Sequence, residues 1–355
     1  MARDRQMAKS PMKRDRARRL TRSMSFWFRE SARKLPWRQR RTAYHALVSE
    51  FMLQQTQVSR VLEYFPSFIR RFPTMRSLAE ADEQEVLAAW QGLGYYRRAR
   101  NLHRAARQIM AEHGGRLPRE IDQLIDLPGI GRFTAGSLAS ILFGQAQPIV
   151  DGNVLRVLSR LEGESLTDEQ AWHLAEILVN QADDPAVFNE ALMEMGAIVC
   201  TPSAPRCGAC KLKRLCRARR QGIQEEVPVA RSRKKPKQVH HYVVIVRWGK
   251  KLLFQKRPPE GLWSNMWQLP TIESDQVRKL QDLAFAAPVS GLCQVGRFDH
   301  QTTHRRIRFH VLEGQITPSS AGGRSGTWRR PGDVDDLPMS NAQRKALAMA
   351  SSQAS

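Results

Sequence analysis

The chain has few acidic residues, few cysteines and no long apolar run. Its 355 residues hold 34 aspartates and glutamates against 57 lysines and arginines, a formal net charge of +23. An excess of one sign spread along the whole length selects a polyanionic partner and puts nucleic acid ahead of a membrane surface. No stretch approaches the roughly 20 apolar residues of a membrane span, and no hydrophobic signal core is present. A soluble, intracellular protein without a membrane partner is expected. Five cysteines, four of them between positions 200 and 216, speak against a disulfide framework and for a metal or cluster site. The length suits two domains, each large enough to bury a core.

Residues 1–22 are rich in arginine and lysine, lack an apolar period, and read as a disordered basic arm. From 23 to 218 apolar residues recur at three- and four-residue spacing, interrupted by Pro36, Pro66, Pro73, Pro118 and Pro148. That pattern predicts an all-α domain of roughly ten helices. Within it, Tyr44 to Tyr64 reads mostly as one long helix with Leu47, Phe51 and Val58 on a buried stripe and Glu50 beside it. Residues 219–238 are polar and basic, contain Pro228 and Pro236, and read as a linker. Beyond it, over 239–345, HYVVIVRW, KLLFQKRP and RRIRFHVLEG are short, β-branched strand candidates. The fold class is therefore multidomain, α then α+β.

Three stretches carry candidate chemistry. In LPGIGRFTAGSLASILFGQAQPIVDGN, Leu127 to Asn153, Gly129 and Gly131 allow a tight turn and close backbone approach. Free N–H groups at such a turn suit a phosphate oxygen, although the same glycines serve equally as plain helix caps. The helix that follows ends before a short loop that delivers Asp151, with Gly152 and Asn153 behind it. In WQGLGYYRRARNLHRAA, Trp90 to Ala106, Leu93 lies between two glycines and Tyr95 stands beside Arg97, Arg98 and Arg100. An apolar or aromatic tip among cations suits wedging between bases, while a glycine turn with core aromatics and a solvated basic face fits the residues too. Cys200, Cys207, Cys210 and Cys216 form C-x6-C-x2-C-x5-C. Four thiolates so close can share one centre, for which tetrahedral zinc satisfies the chemistry as well as an iron–sulfur cluster.

LPGIG followed by VDGNV resembles the helix-hairpin-helix and catalytic aspartate of the DNA glycosylase superfamily that includes endonuclease III. SEFMLQQTQV and WQGLGYYRRARNL are similar to segments of the adenine DNA glycosylase (MutY) family within it. The resemblance implies a helix-hairpin-helix glycosylase domain over 23–218 and a Nudix-like α/β/α domain over 239–345. It makes Glu50 the acid that protonates the leaving adenine. Asp151 becomes the stabiliser or nucleophile at the sugar, with Asn153 orienting it or a water. Leu53, Gln54, Gln55 and Leu93 are implied at the DNA, Tyr95 as the wedge in the base stack, and Gly129 and Gly131 at the backbone. The four cysteines, in a loop over 200–216, are implied ligands of a [4Fe–4S] cluster.

In the second domain the loop Phe298 to His304, FDHQTTH, matches the place where the family carries Phe-Ser-His against an oxidised guanine. Thr303 and His304 are the implied lesion readers, and Thr302 replaces the phenylalanine. A hydrolytic Nudix motif needs a glutamate-rich helix after its glycine, and nothing after Gly261 supplies one. Position 133, a Schiff-base lysine in the bifunctional relatives, is Phe133, which cannot attack a sugar. The expectation is a monofunctional adenine glycosylase of base excision repair, acting on adenine opposite 8-oxoguanine or guanine in double-stranded DNA. It is expected to flip the base out and leave an abasic site. A monomer in a bacterial cytoplasm, at the nucleoid, is expected. A thymine or oxidised-pyrimidine glycosylase and a non-catalytic DNA-binding Fe–S protein are the alternatives.

Overall fold

The computed structural model of the protein describes residues 12–229, 236–286, 289–316, 326–334 and 336–351. Two compact units alternate along the sequence: Met1–Gln54, Thr74–Arg76 and Arg104–Arg231 form one, and Gln55–Pro73, Ser77–His103 and Ser232–Ser355 the other. The helices run α1 (Arg14–Ser31), α2 (Pro36–Gln39), α3 (Ala43–Leu53), α4 (Val58–Arg71), α5 (Met75–Glu80), α6 (Glu83–Ala89) and α7 (Arg97–Glu112). They continue as α8 (Ile121–Ile125), α9 (Arg132–Phe143), α10 (Gly152–Glu162), α11 (Asp168–Val179), α12 (Pro185–Ile198) and α13 (Arg217–Gln221). Strands β1 (Lys237–Trp248), β2 (Lys251–Lys256), β3 (Trp267–Gln268), β4 (Thr271–Ser274), β5 (Val289–Gln301), β6 (Arg305–Ile316) and β7 (Thr327–Arg329) follow, and α14 (Asn341–Ser351) comes last. Among the described residues no helix is long and apolar enough to cross a membrane.

The first unit is helical, and its main core joins α1, α10, α11 and α12 through Leu20, Met24, Leu158, Leu178, Phe188 and Leu192. Each such side chain taken out of water contributes about 1.5–3 kcal/mol before entropy is counted. α1 corrects the reading of residues 1–22 as a disordered arm. Ala17, Leu20, Thr21, Met24 and Phe28 recur at helical spacing and are buried, while Arg14, Arg18 and Arg19 stay exposed. The apolar stripe was present, thinned by the arginines between its members. Residues 1–11 lie outside the described residues.

The long helix expected across Tyr44 to Tyr64 is two helices. Thr42 caps α3 by accepting from the His45 N–H at 3.1 Å, and α3 ends at Leu53. Gln55 then takes φ +55, a left-handed conformation, before α4 begins at Val58. The apolar period spans the break because Phe51 and Val58 sit seven positions apart, so nothing in the pattern announces it. Pro66, expected to interrupt helix, is carried inside α4. The carbonyl it leaves unbonded belongs to Leu62, which lies on an exposed turn of the helix.

The second unit is built on a mixed sheet of order β3-β2-β1-β6-β5, with β4 paired to β1 and β7 to β2. β1 and β6 run parallel, with Val243 opposite Val311, and β5 and β6 antiparallel, with Phe298 opposite Phe309. β1 is central and covered on both sides, as its unbroken run of eight buried residues shows. Val243 and Ile245 meet Ala342 and Ala346 of α14 on one face. Tyr242, Val244 and Val246 meet Leu280, Leu283 and Phe285 on the other, where a 3-10 turn stands in place of a longer helix. The same unit includes α4 and α6, where Phe68 packs edge-on against fully buried Trp90 at 5.7 Å between centroids. Asn265 Nδ2 donates to Glu83 Oε1 at 2.8 Å, Arg100 Nη1 to the Ser264 carbonyl at 2.8 Å and the Met339 N–H to Gln91 Oε1 at 3.1 Å.

Two further boundaries differ from the expectation. Residues 298–301, read as loop, are the end of β5, so the connecting turn is only Thr302–His304. Within the expected linker 219–238, α13 extends to Gln221 and β1 begins at Lys237; residues 230–235 lie outside the described residues.

Candidate active site and nucleic-acid interface

Glu50 lies in the last turn of α3, and its Oε1 accepts a hydrogen bond from Ser137 Oγ at 3.0 Å. Ser137 is fully buried on α9. Burial raises the Glu50 carboxyl to about 7; the Ser137 bond opposes that rise, while the nearby charges of Glu190 and Asp151 add to it. Glu50 thus holds a proton up to neutral pH, as a general acid must. Glu190 itself is buried and accepts from Arg38 Nε at 2.9 Å and Arg41 Nη2 at 2.7 Å.

Asp151 is the N-cap of α10. Its Oδ1 accepts from the Val154 N–H at 2.7 Å, and its Oδ2 from Asn153 Nδ2 at 3.2 Å. Asn153 is fixed in turn, its Oδ1 accepting from Arg156 Nη2 at 2.8 Å. Arg156 also donates to the carbonyls of Gly196 and Cys200, each at 2.8 Å. A continuous line of hydrogen bonds therefore runs from the backbone of the first cysteine to the aspartate.

Two glycines make the close packing around these carboxylates. A Cβ on Gly136, in the middle of α9, would stand 2.7 Å from the Pro148 carbonyl oxygen, in the loop that leads to Asp151. A Cβ on Gly196, in α12, would stand 2.8 Å from the Asn153 Cβ. Ser137, Glu190 and both glycines escape sequence reading because their partners are distant in the chain, and Arg156 because its anchors at Gly196 and Cys200 are. The one signal available was glycine inside a helical pattern, which is unfavourable without a packing reason.

At the hairpin, Gly129 takes φ +82, and Gly131 caps α9 with no side-chain bond to the first turn. Gln54 Nε2 donates to the Gly129 carbonyl at 3.3 Å and Thr134 Oγ1 at 3.4 Å, so this glutamine braces the turn. Leu53 is half-buried and Gln55 exposed. In the second unit Leu93 is buried, whereas Tyr95 is 49% exposed at φ +48 with the Arg98 guanidinium 5.4 Å from its ring centroid. Burial of Leu93 leaves Tyr95 as the protruding group of this turn. Thr303 and His304 are exposed, and the Thr303 and Tyr95 hydroxyls lie 3.0 Å apart.

Cys200, Cys207, Cys210 and Cys216 line one cavity with Val157, Leu161, Met195 and Leu212. Burial pushes the Cys210 thiol up to about 11, and the neighbouring sulfurs add to the rise. Among the described residues no three ligating side chains converge as a single metal ion needs. Arg160 approaches the same loop, donating from Nη1 to Cys200 Sγ at 3.4 Å and to the Thr201 carbonyl at 2.6 Å.

Residues 48–180 match the HhH-GPD superfamily base excision DNA repair protein family, and residues 241–349 match the NUDIX domain. The chain is similar to the adenine DNA glycosylase of Homo sapiens, 34% identical over 92% of this chain and 72% of the relative. It is also similar to that of Buchnera aphidicola subsp. Schizaphis graminum, 33% identical over 70% of this chain and 73% of the relative. Among solved structures it resembles a thermostable thymine-DNA glycosylase, with a TM-score of 0.54 and 28% identity over 58% of this chain and 98% of that one.

Proposed function

This chain belongs to the adenine DNA glycosylase family of base-excision repair hydrolases, and from that premise we propose how its residues divide the work on DNA. The observation that carries the proposal is Glu50, a carboxyl raised to about 7 within electrostatic reach of Asp151. Glu50 delivers its proton to the adenine ring, so that the base leaves neutral as the N-glycosidic bond lengthens. Asp151 stabilises the oxocarbenium-like sugar or attacks it, the paired-carboxylate logic of glycoside hydrolysis. Asn153, clamped by Arg156, fixes the aspartate's orientation. Water then completes hydrolysis, with Glu50 acting as the base. Phe133 supplies no amine, so the product is an abasic site in an unbroken strand.

The protein binds double-stranded DNA, and the finer contacts belong to the proposal. Residues 23–218 are read as the catalytic domain and 239–345 as the lesion reader. The Gly129–Gly131 turn holds a phosphate, the exposed Tyr95 enters the stack, and Thr303 with His304 meets 8-oxoguanine or guanine opposite the adenine. Binding as a monomer is part of this reading.

Cys200, Cys207, Cys210 and Cys216 would hold a [4Fe–4S] cluster. What supports this is one cavity lined by all four thiols together with Val157, Leu161, Met195 and Leu212. When bound, the group supplies a rigid cross-link for the loop that presents Arg206, Lys211, Lys213 and Arg214; hydrolysis consumes no electrons.

Single-turnover base release from duplexes with adenine opposite 8-oxoguanine, adenine opposite guanine and thymine opposite guanine tests the proposal. Rapid adenine loss, fastest opposite 8-oxoguanine and giving breaks only after alkali, is expected. Thymine release, or breaks without alkali, would contradict it.

A further inference from the structure

One end of the sheet in the second unit presents an aromatic ring among cations. β1 and β2 are joined by the tight turn Gly249–Lys250, with Gly249 at φ +56, and Trp248 stands directly opposite Lys251 in the register. Opposed residues of an antiparallel pair project from the same face, so the indole and the ammonium group are neighbours. Along that face Trp248 continues the series Tyr242, Val244 and Val246, but those three are buried and Trp248 is 47% exposed. Its brace is Trp328 of β7, which lies opposite Leu253 and packs against the same small core. The two rings meet edge-on, with centroids 5.6 Å apart and planes at 65°. Trp328 therefore covers at most one face of the Trp248 ring and fixes it in place. Lys250 at the hairpin tip and Arg330 just past β7 are exposed, as is Lys251. Among the described residues none of these three cations is held in an ion pair, whereas Arg247, on the other face of β1, meets Glu313 at 3.2 Å.

We propose that Trp248, braced by Trp328 and flanked by Lys250, Lys251 and Arg330, is a second nucleic-acid site that takes unpaired, single-stranded DNA. A rigid exposed ring gives a base a face to stack on, and the cations around it meet the phosphates on either side. Within a duplex the base faces are covered by their neighbours and only the backbone is offered. Unpaired nucleotides alone use the ring and the cations together. The site is separate from the Thr302–His304 turn. That turn adjoins the opposite end of β1, where the Lys237 N–H donates to the His304 carbonyl at 2.9 Å. The twelve residues of β1 put roughly 35 Å between the two ends. One chain can thereby hold a duplex at its catalytic site and an unpaired stretch at this one.

The test is a titration of a fluorescein-labelled short oligothymidylate, read by anisotropy, into the full chain carrying Asp151→Asn. The chain is first saturated with an unlabelled blunt duplex containing adenine opposite 8-oxoguanine, so that the catalytic site is occupied. Trp248→Ala, Trp248→Phe, and Lys250→Ala with Lys251→Ala are compared in that background, with thermal melting as a check on folding. The oligomer should bind the duplex-loaded chain. Trp248→Ala should weaken it about tenfold and Trp248→Phe should restore most of the loss, with affinity for the duplex unchanged. The double lysine variant should flatten the dependence of log affinity on log salt by about 0.7 for each lysine removed. An oligomer that fails to bind the loaded chain, or binds only by displacing the duplex, overturns the proposal. So does equal binding of the oligomer by Trp248→Ala and its parent.

Discussion

The surroundings of Glu50 and of Tyr95 are opposites. Glu50 accepts from a buried serine and feels the charge of Asp151, which is held by the Val154 N–H and by an Asn153 that Arg156 clamps in turn. Tyr95 stands out on a strained backbone with one hydroxyl contact and one cation beside its ring. Chemistry at a sugar depends on groups fixed before the substrate arrives, since reorganising them would add to the barrier. Recognition of a distorted duplex depends on groups that can exchange one partner for another. The contrast predicts large, all-or-none losses from changes around Glu50 and Asp151, and graded losses of selectivity from changes around Tyr95.

The strongest way to break that comparison is Asp151→Asn. Adenine release should fall by about a thousandfold or more while duplex binding persists, since a carboxylate is lost and the cap to Val154 is kept. Normal single-turnover release by this variant would remove Asp151 from the mechanism. Next comes Gly196→Ala. The added Cβ meets Asn153 at 2.8 Å, so one side must shift. Overpacking of this kind costs about 1–3 kcal/mol. A drop in melting temperature together with roughly tenfold slower adenine release is expected, because Asn153 aligns the aspartate. Wild-type rates with unchanged stability would mean that α12 does not constrain the site. The smallest effect belongs to Thr303→Ala with His304→Ala. The rate ratio between adenine opposite 8-oxoguanine and opposite guanine should shrink by about tenfold or less, with basal excision moved far less. Equal loss on both duplexes would deny these residues a reading role.

The same division governs how much could be read from sequence. Glu50, Asp151 and the four cysteines sit in short motifs that resemble those of the family; spacing alone leaves Glu50 an ordinary helix glutamate, Asp151 a helix cap and the cysteines as fit for zinc as for a cluster. The strands β1, β2 and β6 announce themselves by β-branched runs. What stayed hidden acts through folding partners: Ser137 on Glu50, Arg156 between Cys200 and Asn153, and Thr303 on Tyr95. The division of Tyr44 to Tyr64 into α3 and α4 was hidden because a glutamine, and not a glycine or proline, takes the left-handed turn. α1 was missed for the converse reason, its stripe being diluted by arginines that face solvent. The chain's composition also gave no sign that residues 55–73 and 77–103 would cluster with the sheet.

The central claim is that Glu50 acts as a proton donor because its surroundings hold the proton to neutral pH. The most direct measurement is the pH dependence of single-turnover adenine release between pH 5 and 9, for the unaltered chain and for Glu50→Gln. A raised carboxyl is active below its folded value and loses its proton as pH rises through it. The rate should therefore fall on the alkaline side with a midpoint near 7, and the glutamine variant should be about a hundredfold or more slower with that limb absent. A rate that stays level from pH 6 to 9, or a Glu50→Gln variant that keeps the same alkaline limb, would contradict the account.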